Sequence, residues 1–243
     1  MKDMTARVIG NREVARMTYL LTLECDMEPY RPGQFVMLKA GGAHDPLLRR
    51  PLGIMEYRSA TLALLYRVKG EGTRLVSELH QDDRMAVLGP LGQGFQDPPE
   101  DAAVIYAAGG TGAPPLIALA SHLKRGRFVF GARTRDDIPF ECLPHDSLIC
   151  TEDGSCGTKG LVTQALSTVL DGGPSVVYAC GPLPMLKEVR ALAKTAGAAC
   201  QVSLEERMAC GFGVCAGCAV QTVRGIERVC SEGPVFRAED LPW

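Results

Sequence analysis

Four cysteines near the carboxyl end of the chain have the spacing of a metal-binding loop. Cys210, Cys215 and Cys218 follow one another as C-x4-C-x2-C, and Cys230 completes the set. Four thiolates in this order are a known ligand set for a 2Fe-2S cluster. The other six cysteines of the chain are scattered singly. The spacing therefore predicts a 2Fe-2S site, and it is the strongest chemical signal in the sequence.

Zinc is the main alternative ligand, since four thiolates also make a good tetrahedral site. Zinc loops usually contain two C-x2-C pairs, however, and only one occurs here. Three glycines, Gly211, Gly213 and Gly217, lie between the cysteines. They favour the cluster, because a tight loop that aims backbone N–H groups at sulfur needs positive φ angles. A disulfide framework is disfavoured in a chain expected to be cytoplasmic.

A second group of residues could bind FAD. Arg50 offers a fixed cation for a pyrophosphate, and Gly72 with Thr73 opens a short predicted helix whose first N–H groups are free. Tyr66 or Arg67 could pack against the isoalloxazine ring or hold phosphate. Each part alone is consistent with a surface arginine, a strand end or a helix cap, but together and in this order they favour a flavin. The residues are Arg50, Pro51, Leu52, Gly53, Leu65, Tyr66, Arg67, Gly72 and Thr73.

A glycine turn could bind the pyrophosphate of a nicotinamide nucleotide. Gly109, Gly110, Thr111 and Gly112 lie between a predicted strand and a helix that prolines begin. Such a turn places phosphate at a helix N-terminus. The G-x-G-x-x-G spacing of the common dinucleotide fingerprint is missing, so the turn is moderate evidence by itself.

A second strand end carries Cys180, Gly181 and Pro182. Ligands bind at the carboxyl edge of open parallel sheets, so the thiol could lie beside a nicotinamide ring. The alternative is a small buried cysteine before a helix that proline opens. Arg133 and Arg135 follow another strand, where a 2′-phosphate could bind, and the spacing alone leaves NAD and NADP both open.

The elements that would position these residues differ along the chain. Residues 1–98 contain short β-type runs broken by turns, with one predicted helix at 73–79, and this pattern predicts an antiparallel β-barrel. Residues 99–200 alternate strands with helices, as in a parallel α/β sheet. Residues 201–243 are rich in Gly and Cys and predict a small module organised by its ligand. The predicted fold class is thus a multidomain α+β protein.

Composition sets the general class of the protein. The 243 residues include 26 basic and 28 acidic side chains, which suggests neither nucleic acid nor an anionic membrane as a partner. The amino terminus lacks the apolar core of a signal peptide, and no stretch of about 18 apolar residues occurs. We therefore expect a cytoplasmic protein. We assign no role to the histidines His44, His80, His122 and His145, and no catalytic acid or base.

The order of these motifs resembles that of the ferredoxin-NADP reductase superfamily, and residues 205–218 resemble the electron-transfer subunits of dihydroorotate dehydrogenase B. The resemblance covers essentially the whole chain. It implies a barrel that binds FAD, an α/β domain that binds NAD, and a 2Fe-2S module facing a separate FMN-containing catalytic subunit, with two copies of each subunit. One departure is Gly53, where the family commonly has Ser or Thr, so that no hydroxyl is offered to the flavin N5.

The resemblance implies an oxidoreductase subunit of pyrimidine biosynthesis. In such a relay, oxidation of dihydroorotate to orotate on the partner sends electrons through the 2Fe-2S cluster and FAD to NAD⁺. One alternative is a similar NAD(P)H-ferredoxin reductase-like subunit of another redox complex, such as a hydrogenase. Another is a non-catalytic zinc module, which would explain the cysteines but not the Arg50 and Gly109 motifs.

Overall fold

The amino-terminal part of the chain curls into a seven-stranded antiparallel sheet with the strand order β4-β3-β7-β1-β2-β6-β5. The computed structural model describes residues 1–41, 45–170 and 173–243, and His44 lies outside them. The elements are β1 (Lys2–Ala15), β2 (Thr18–Glu24), β3 (Phe35–Leu38), β4 (Arg50–Gly53), β5 (Glu56–Arg58), β6 (Thr61–Arg67), α1 (Glu71–Ser77) and β7 (Arg84–Leu91).

This sheet forms because apolar residues alternate with polar ones along its longer strands. In β1, for example, Met4, Ala6 and Val8 are buried, while Thr5 and Arg7 between them are polar and exposed or partly exposed. Alternation of period two places one face of each strand in a core. The predicted antiparallel architecture is confirmed, with β4 and β5 as the two edges of a curled sheet.

The middle of the chain forms a second sheet, in which the β-α alternation gives parallel strands. Its strand β12 is buried along its whole length, as expected where helices cover both faces. The elements are β8 (Ala103–Gly109), α2 (Ala113–Leu123), β9 (Arg127–Ala132), β10 (Leu148–Thr151), β11 (Thr158–Lys159), α3 (Val162–Val169), β12 (Ser175–Cys180), α4 (Leu183–Thr195) and β13 (Ala199–Ser203). The predicted parallel α/β sheet is confirmed.

The carboxyl-terminal part contains a hairpin, β14 (Ala219–Thr222) and β15 (Gly225–Arg228), and a last strand, β16 (Val235–Arg237). This last strand pairs antiparallel with β13, so that the order of the second sheet is β11-β10-β9-β8-β12-β13-β16. The domain boundary that we predicted at residue 200 lies within β13. Residues 201–243 also contribute β16 to the sheet formed by residues 99–200.

The two sheets pack against each other through specific contacts. The rings of Phe95 and Tyr178 meet edge to face with centroids 5.4 Å apart, and the Tyr178 hydroxyl donates to the carbonyl of Gln96 at 2.7 Å.

Within the described ranges, no helix is long and apolar enough to cross a membrane.

Candidate functional site

The four clustered cysteines come together at the outer surface of the carboxyl-terminal part. Cys215 is exposed and Cys210 half-buried, whereas Cys218 and Cys230 are buried. Their thiols lie in two pairs: Cys210 is within hydrogen-bonding reach of Cys215, and Cys218 is within reach of Cys230. The structure thus assembles all four predicted ligands around one loop.

Backbone N–H groups of the loop point at the sulfur atoms. Gly213 donates to Cys230 Sγ at 3.1 Å, and Cys215 donates to Cys210 Sγ at 3.5 Å. The N–H of Gly217 donates to Cys215 Sγ at 3.4 Å, and the N–H of Cys230 donates to Cys218 Sγ at 3.4 Å. Such donors stabilise negative charge on sulfur.

These surroundings affect the thiol pKa values in opposite directions. Burial alone would raise the pKa of Cys210, but backbone N–H groups led by that of Cys215 lower it to about 6. Burial, followed by the hydrogen bond and charge of Cys218, raises the pKa of Cys230 to about 12. The loop therefore favours the thiolate form of Cys210, whereas burial disfavours it at Cys230.

The loop fits a 2Fe-2S cluster, in which each iron takes two cysteine thiolates. The sulfurs are already paired, Cys210 with Cys215 and Cys218 with Cys230. Across the described ranges, no three His, Cys, Asp or Glu side chains converge tightly enough to hold a single metal ion.

Two charged residues behind this loop were not identified from the sequence. Arg228 donates to the carbonyl oxygen of Gly213 at 2.7 Å and to both carboxylate oxygens of Glu232. The Arg228 hydrogen bonds outweigh partial burial and lower the pKa of Glu232 to about 2. An arginine and a glutamate four residues apart on either side of Cys230 are the only sequence signal of this contact.

The cysteine loop rests on the first sheet. At Gly211, where φ is +82°, a Cβ would come within 2.6 Å of Met37 Cγ. Met37 lies in β3 and pairs across the ladder with Pro51 of β4. The predicted cluster loop is thus only one strand away from the predicted flavin residues.

Two of the predicted flavin residues, Arg50 of the edge strand β4 and Gly72 of α1, lie against each other. The Arg50 side chain crosses Gly72 so closely that a Cβ at residue 72 would overlap its guanidinium group. Helix α1 begins at Glu71 and not at residue 73, because the extended Gly70 serves as its N-cap. Gly72 therefore lies within the first turn, where only a glycine allows the arginine to reach the helix start.

Two further residues of this set have structural partners. The Thr73 hydroxyl accepts hydrogen bonds from the N–H groups of Lys69 and Gly70 at 2.9 and 3.2 Å. A Cβ at Gly53 would lie 3.3 Å from Pro115 Cδ, so Gly53 brings β4 against the start of α2.

The residues at the end of β6 face alternate sides. Leu65 packs in the core beneath the second sheet, and Tyr66 packs in the core of the first sheet with its hydroxyl donating to Asn11. Only Arg67 of the three lines the crevice between the sheets. Of the two side chains that could contact the isoalloxazine ring or a phosphate, that of Tyr66 is thus turned away from the crevice and that of Arg67 faces it, because neighbouring strand residues alternate.

A cavity of about 1010 Å³ lies at the carboxyl edge of the second sheet. Its floor is made by the two predicted nucleotide turns, with Gly109, Gly110 and Thr111 from one and Gly181 and Pro182 from the other. This is the position, beside the point where the strand order reverses, at which open α/β sheets bind ligands. The residues present fit a dinucleotide.

The glycines of the first turn have different roles. A Cβ at Gly112 would lie 2.2 Å from the carbonyl oxygen of Cys180, so this glycine locks the two turns together. Gly110 has a φ of +52° and no atom within 4 Å of its Cβ position. Gly110 therefore leaves open space in the cavity floor, as a phosphate that approaches the backbone requires.

Cys180 is 2% exposed and is not among the residues that line the cavity. Burial raises the pKa of its thiol above the ordinary value. Its carbonyl group packs against Gly112 of the glycine turn. The small buried cysteine weighed as an alternative is therefore what the fold contains.

Charged residues of both signs surround the cavity. Arg133 and Glu152 both line it, whereas Arg135 lies over the Phe140 ring at 5.5 Å. Glu205 lies on the cavity wall, where water still reaches its side chain. Partial burial by the surrounding protein raises the pKa of its carboxyl, and the charge of Lys69 opposes this shift.

One buried carboxylate links the two sheets. Asp137 pairs with Arg16 at 2.8 Å and with Arg67 at 3.1 Å. Burial would raise the pKa of Asp137, but the hydrogen bond from Arg16 and the charge of Arg67 hold it below its ordinary value. These two ion pairs, which we call the clamp at Asp137, hold Arg67 at the cavity. Of the histidines, His80, His122 and His145 are exposed.

The curled antiparallel sheet, the parallel sheet with its crevice and the cysteine loop define an iron-sulfur reductase linked to flavin and nicotinamide. An NADH-dependent reduced ferredoxin-NADP oxidoreductase, studied for flavin-based electron bifurcation, has a similar structure, with a TM-score of 0.85, 26% identity and coverage of 98% of this chain and 90% of that one. Phthalate dioxygenase reductase shares the fold, with a TM-score of 0.67, 17% identity and coverage of 84% and 70%.

Sequence comparison identifies the family. Residues 205–242 match the iron-sulfur cluster binding domain of dihydroorotate dehydrogenase B. The electron transfer subunit of dihydroorotate dehydrogenase B (NAD(+)) from Caldanaerobacter subterraneus is 38% identical over 98% of both chains. The one from Geobacillus kaustophilus is 41% identical over 96% of both. The chain belongs to this family of electron transfer subunits.

Proposed function

We propose that this chain carries electrons from a separate FMN-containing dihydroorotate dehydrogenase subunit to NAD⁺, in the step of pyrimidine biosynthesis that converts dihydroorotate to orotate. The observation that carries the proposal is the contact of Gly211 with Met37, since it seats the cysteine loop one strand from the flavin residues. Full-length relatives of the same family support the choice of reaction.

In this proposal each part of the chain binds one group. Cys210, Cys215, Cys218 and Cys230 hold the 2Fe-2S cluster, and Arg50 with the first turn of α1 holds the FAD pyrophosphate. The turns at 109–112 and 180–182 hold NAD at the cavity. Arg67, oriented by Asp137, supplies positive charge at the edge shared by FAD and NAD.

The bound FAD supplies the ability to exchange single electrons with a cluster and a hydride with a nicotinamide. The residues of this chain bind, orient and exclude water. Gly110 leaves room for the nucleotide backbone, and Gly53 brings Pro115 to the flavin edge. No acid or base for dihydroorotate is needed here, because that chemistry belongs to the partner.

The cysteine loop also supplies the surface toward the partner. Cys215 is exposed, and the side chain of Val214 beside it is 76% exposed, so the loop projects outward from both sheets. We propose that the FMN-containing subunit docks here, in an assembly of two copies of each subunit located in the cytoplasm.

Absorption spectroscopy of the purified protein tests the cofactors. Flavin bands with a broad shoulder at longer wavelength support the proposal, and a colourless protein containing zinc contradicts it. Co-purification and the mass of the complex then test the partner and the stoichiometry. If the coloured protein associates instead with a hydrogenase or a free ferredoxin, the reductase chemistry stands and the assignment to dihydroorotate is wrong.

A further inference from the structure

Arg228 lies directly behind the cysteine loop and makes two kinds of contact. One guanidinium nitrogen donates to the carbonyl oxygen of Gly213 at 2.7 Å. The other two donate to the two carboxylate oxygens of Glu232, at 3.0 and 2.6 Å. A planar guanidinium can make these contacts at once, whereas the flexible single ammonium of lysine cannot. The arginine is therefore held in one orientation by Glu232.

The carbonyl that Arg228 contacts belongs to the peptide unit between Gly213 and Val214. In a planar trans peptide the carbonyl and the N–H point in opposite directions. The N–H of Val214 is one of the backbone groups that lower the pKa of the Cys210 thiol, and the adjacent N–H of Cys215 donates to Cys210 Sγ at 3.5 Å. Fixing the carbonyl toward Arg228 therefore fixes the N–H toward Cys210.

The preceding peptide unit serves the other cysteine pair. Gly213 donates its own N–H to Cys230 Sγ at 3.1 Å. The φ of Gly213 is +90°, and a Cβ there would lie 3.2 Å from Ser231 Cβ. The Ser231 hydroxyl in turn donates to Glu232 at 3.0 Å. Gly213 is thus enclosed between the cysteines and the pair of Arg228 with Glu232.

We propose that Arg228 is a positioning residue for the cluster, and that Glu232 holds it in place. By holding the carbonyl of Gly213, Arg228 fixes the peptide unit that carries the Val214 N–H, and it anchors the residue whose own N–H donates to Cys230 Sγ. N–H donors and a nearby positive charge stabilise the reduced, more negative form of an iron-sulfur cluster and raise its reduction potential. Arg228 therefore raises the potential and slows loss of the cluster. This inference rests on the proposed cluster site.

Replacement of Arg228 tests the inference in the complete protein with its cofactors. In R228Q we expect a more negative midpoint potential, measured by redox titration with EPR detection. We also expect severalfold faster bleaching of the cluster absorbance in the presence of an iron chelator. The matched control is R224Q, which removes the same charge from the same hairpin. Arg224 contacts Glu227 and Asp240, not the loop, so R224Q should behave as the wild type.

Two conservative variants separate position from charge. R228K keeps the positive charge but loses the planar guanidinium that makes several contacts at once. Its midpoint potential should therefore be closer to that of the wild type than the potential of R228Q is, but it should still lose its cluster faster than R224Q. E232Q removes a negative charge, so it should raise the potential. Because it also releases Arg228, E232Q should nevertheless lose the cluster faster. If Arg228 acted only through its charge, R228K and E232Q would lose the cluster at the same rate as R224Q. That result would overturn the inference.

The possible failures can be told apart. If the wild type contains no cluster, the proposed site itself is wrong. If R228Q and R224Q agree in potential and in rate of cluster loss, only the role of Arg228 is wrong. If R228Q takes up no cluster, the rates of cluster loss from R228K and E232Q are compared with that from R224Q. Faster loss supports the inference, and equal rates overturn it.

Discussion

Gly211 of the cysteine loop lies directly against Met37 of the first sheet, with a Cβ at residue 211 only 2.6 Å from the Met37 Cγ. Met37 is fully buried and pairs with Pro51. The loop that we expect to hold the cluster therefore uses a rigid strand of the flavin-binding sheet as its support. The separation between the proposed cluster site and the proposed flavin site is thus set by packing and does not depend on a flexible linker.

Replacing Gly211 with Ala should loosen this contact. The new methyl group collides with Met37, and a non-glycine residue at positive φ adds further strain, so we expect a loss of about 2–4 kcal/mol and a lower cluster content. Thermal unfolding and cluster absorbance measure both effects. Gly197→Ala is the control, because Gly197 has a φ of +69° and no atom within 4 Å. It should cost only about 1 kcal/mol and leave the cluster content unchanged. Equal cluster contents in the two variants would contradict the role of the contact.

Replacing Cys215 with Ser should abolish electron transfer to the partner. The exposed Cys215 is one of four ligands, and serine oxygen is a poor substitute for thiolate in an iron-sulfur cluster. Anaerobic bleaching of the flavin by NADH should persist, because none of the four clustered cysteines lines the nucleotide cavity. Cys156→Ser, which alters one of the scattered cysteines, should retain both reactions. Loss of flavin bleaching in C215S with FAD still bound would count against the order of the relay.

The glycine turn of the cavity offers a matched pair of variants. Gly112→Ala places a methyl group 2.2 Å from the Cys180 carbonyl oxygen, and we expect it to destabilise the protein by about 3 kcal/mol or more. Gly110→Ala meets no atom of the protein, so it should cost about 1 kcal/mol of stability but weaken NADH binding by filling the cavity floor. Thermal unfolding and titration with NADH distinguish the two. Unchanged NADH affinity in G110A would place the pyrophosphate elsewhere.

The clamp at Asp137 predicts a dependence of stability on pH. The pKa of Asp137 is lower in the folded protein than its ordinary value. Its stabilisation is therefore complete above the ordinary carboxylate pKa and is lost as the pH falls through the lower folded value. At pH 7, Asp137→Asn should cost about 1–3 kcal/mol of unfolding free energy.

Denaturant unfolding of the wild type and D137N checks this prediction. The difference between them should shrink as the pH falls below about 4, the ordinary carboxylate value at which the unfolded chain takes up a proton, toward the lower pKa of the folded Asp137. The neighbouring Asp136 is exposed, and Asp136→Asn should show little difference from the wild type at any pH. A difference between the wild type and D137N that stays constant down to pH 3 would mean that the charge of Asp137 is not what stabilises the clamp.

Much of the site was predictable because its signals are local. The cysteine spacing, the glycines between the cysteines and the turn at 109–112 are each read within a few residues. The two fold classes also follow from local patterns, alternation in the first sheet and buried parallel strands in the second. These signals need no knowledge of which distant residues meet.

The remaining contacts were not predictable because they join distant parts of the chain. Arg67 meets Asp137 across 70 residues, and Arg50 crosses Gly72. The direction of Tyr66 depends on the register of β6, which places its side chain in the core of the first sheet. The buried state of Cys180 likewise follows from packing between two turns, and its residue type alone allowed either role.

The pairing of β16 with β13 has a consequence for how the protein is made. Until β16 has been synthesised and paired, β13 is an unprotected sheet edge, of the kind that recruits other chains into aggregates. The segment that covers it begins only a few residues after the fourth cysteine. The position of the fourth cysteine and the protection of that edge therefore depend on the same short segment of the chain, so a change that displaces β16 should disturb the cysteine loop and expose the edge together.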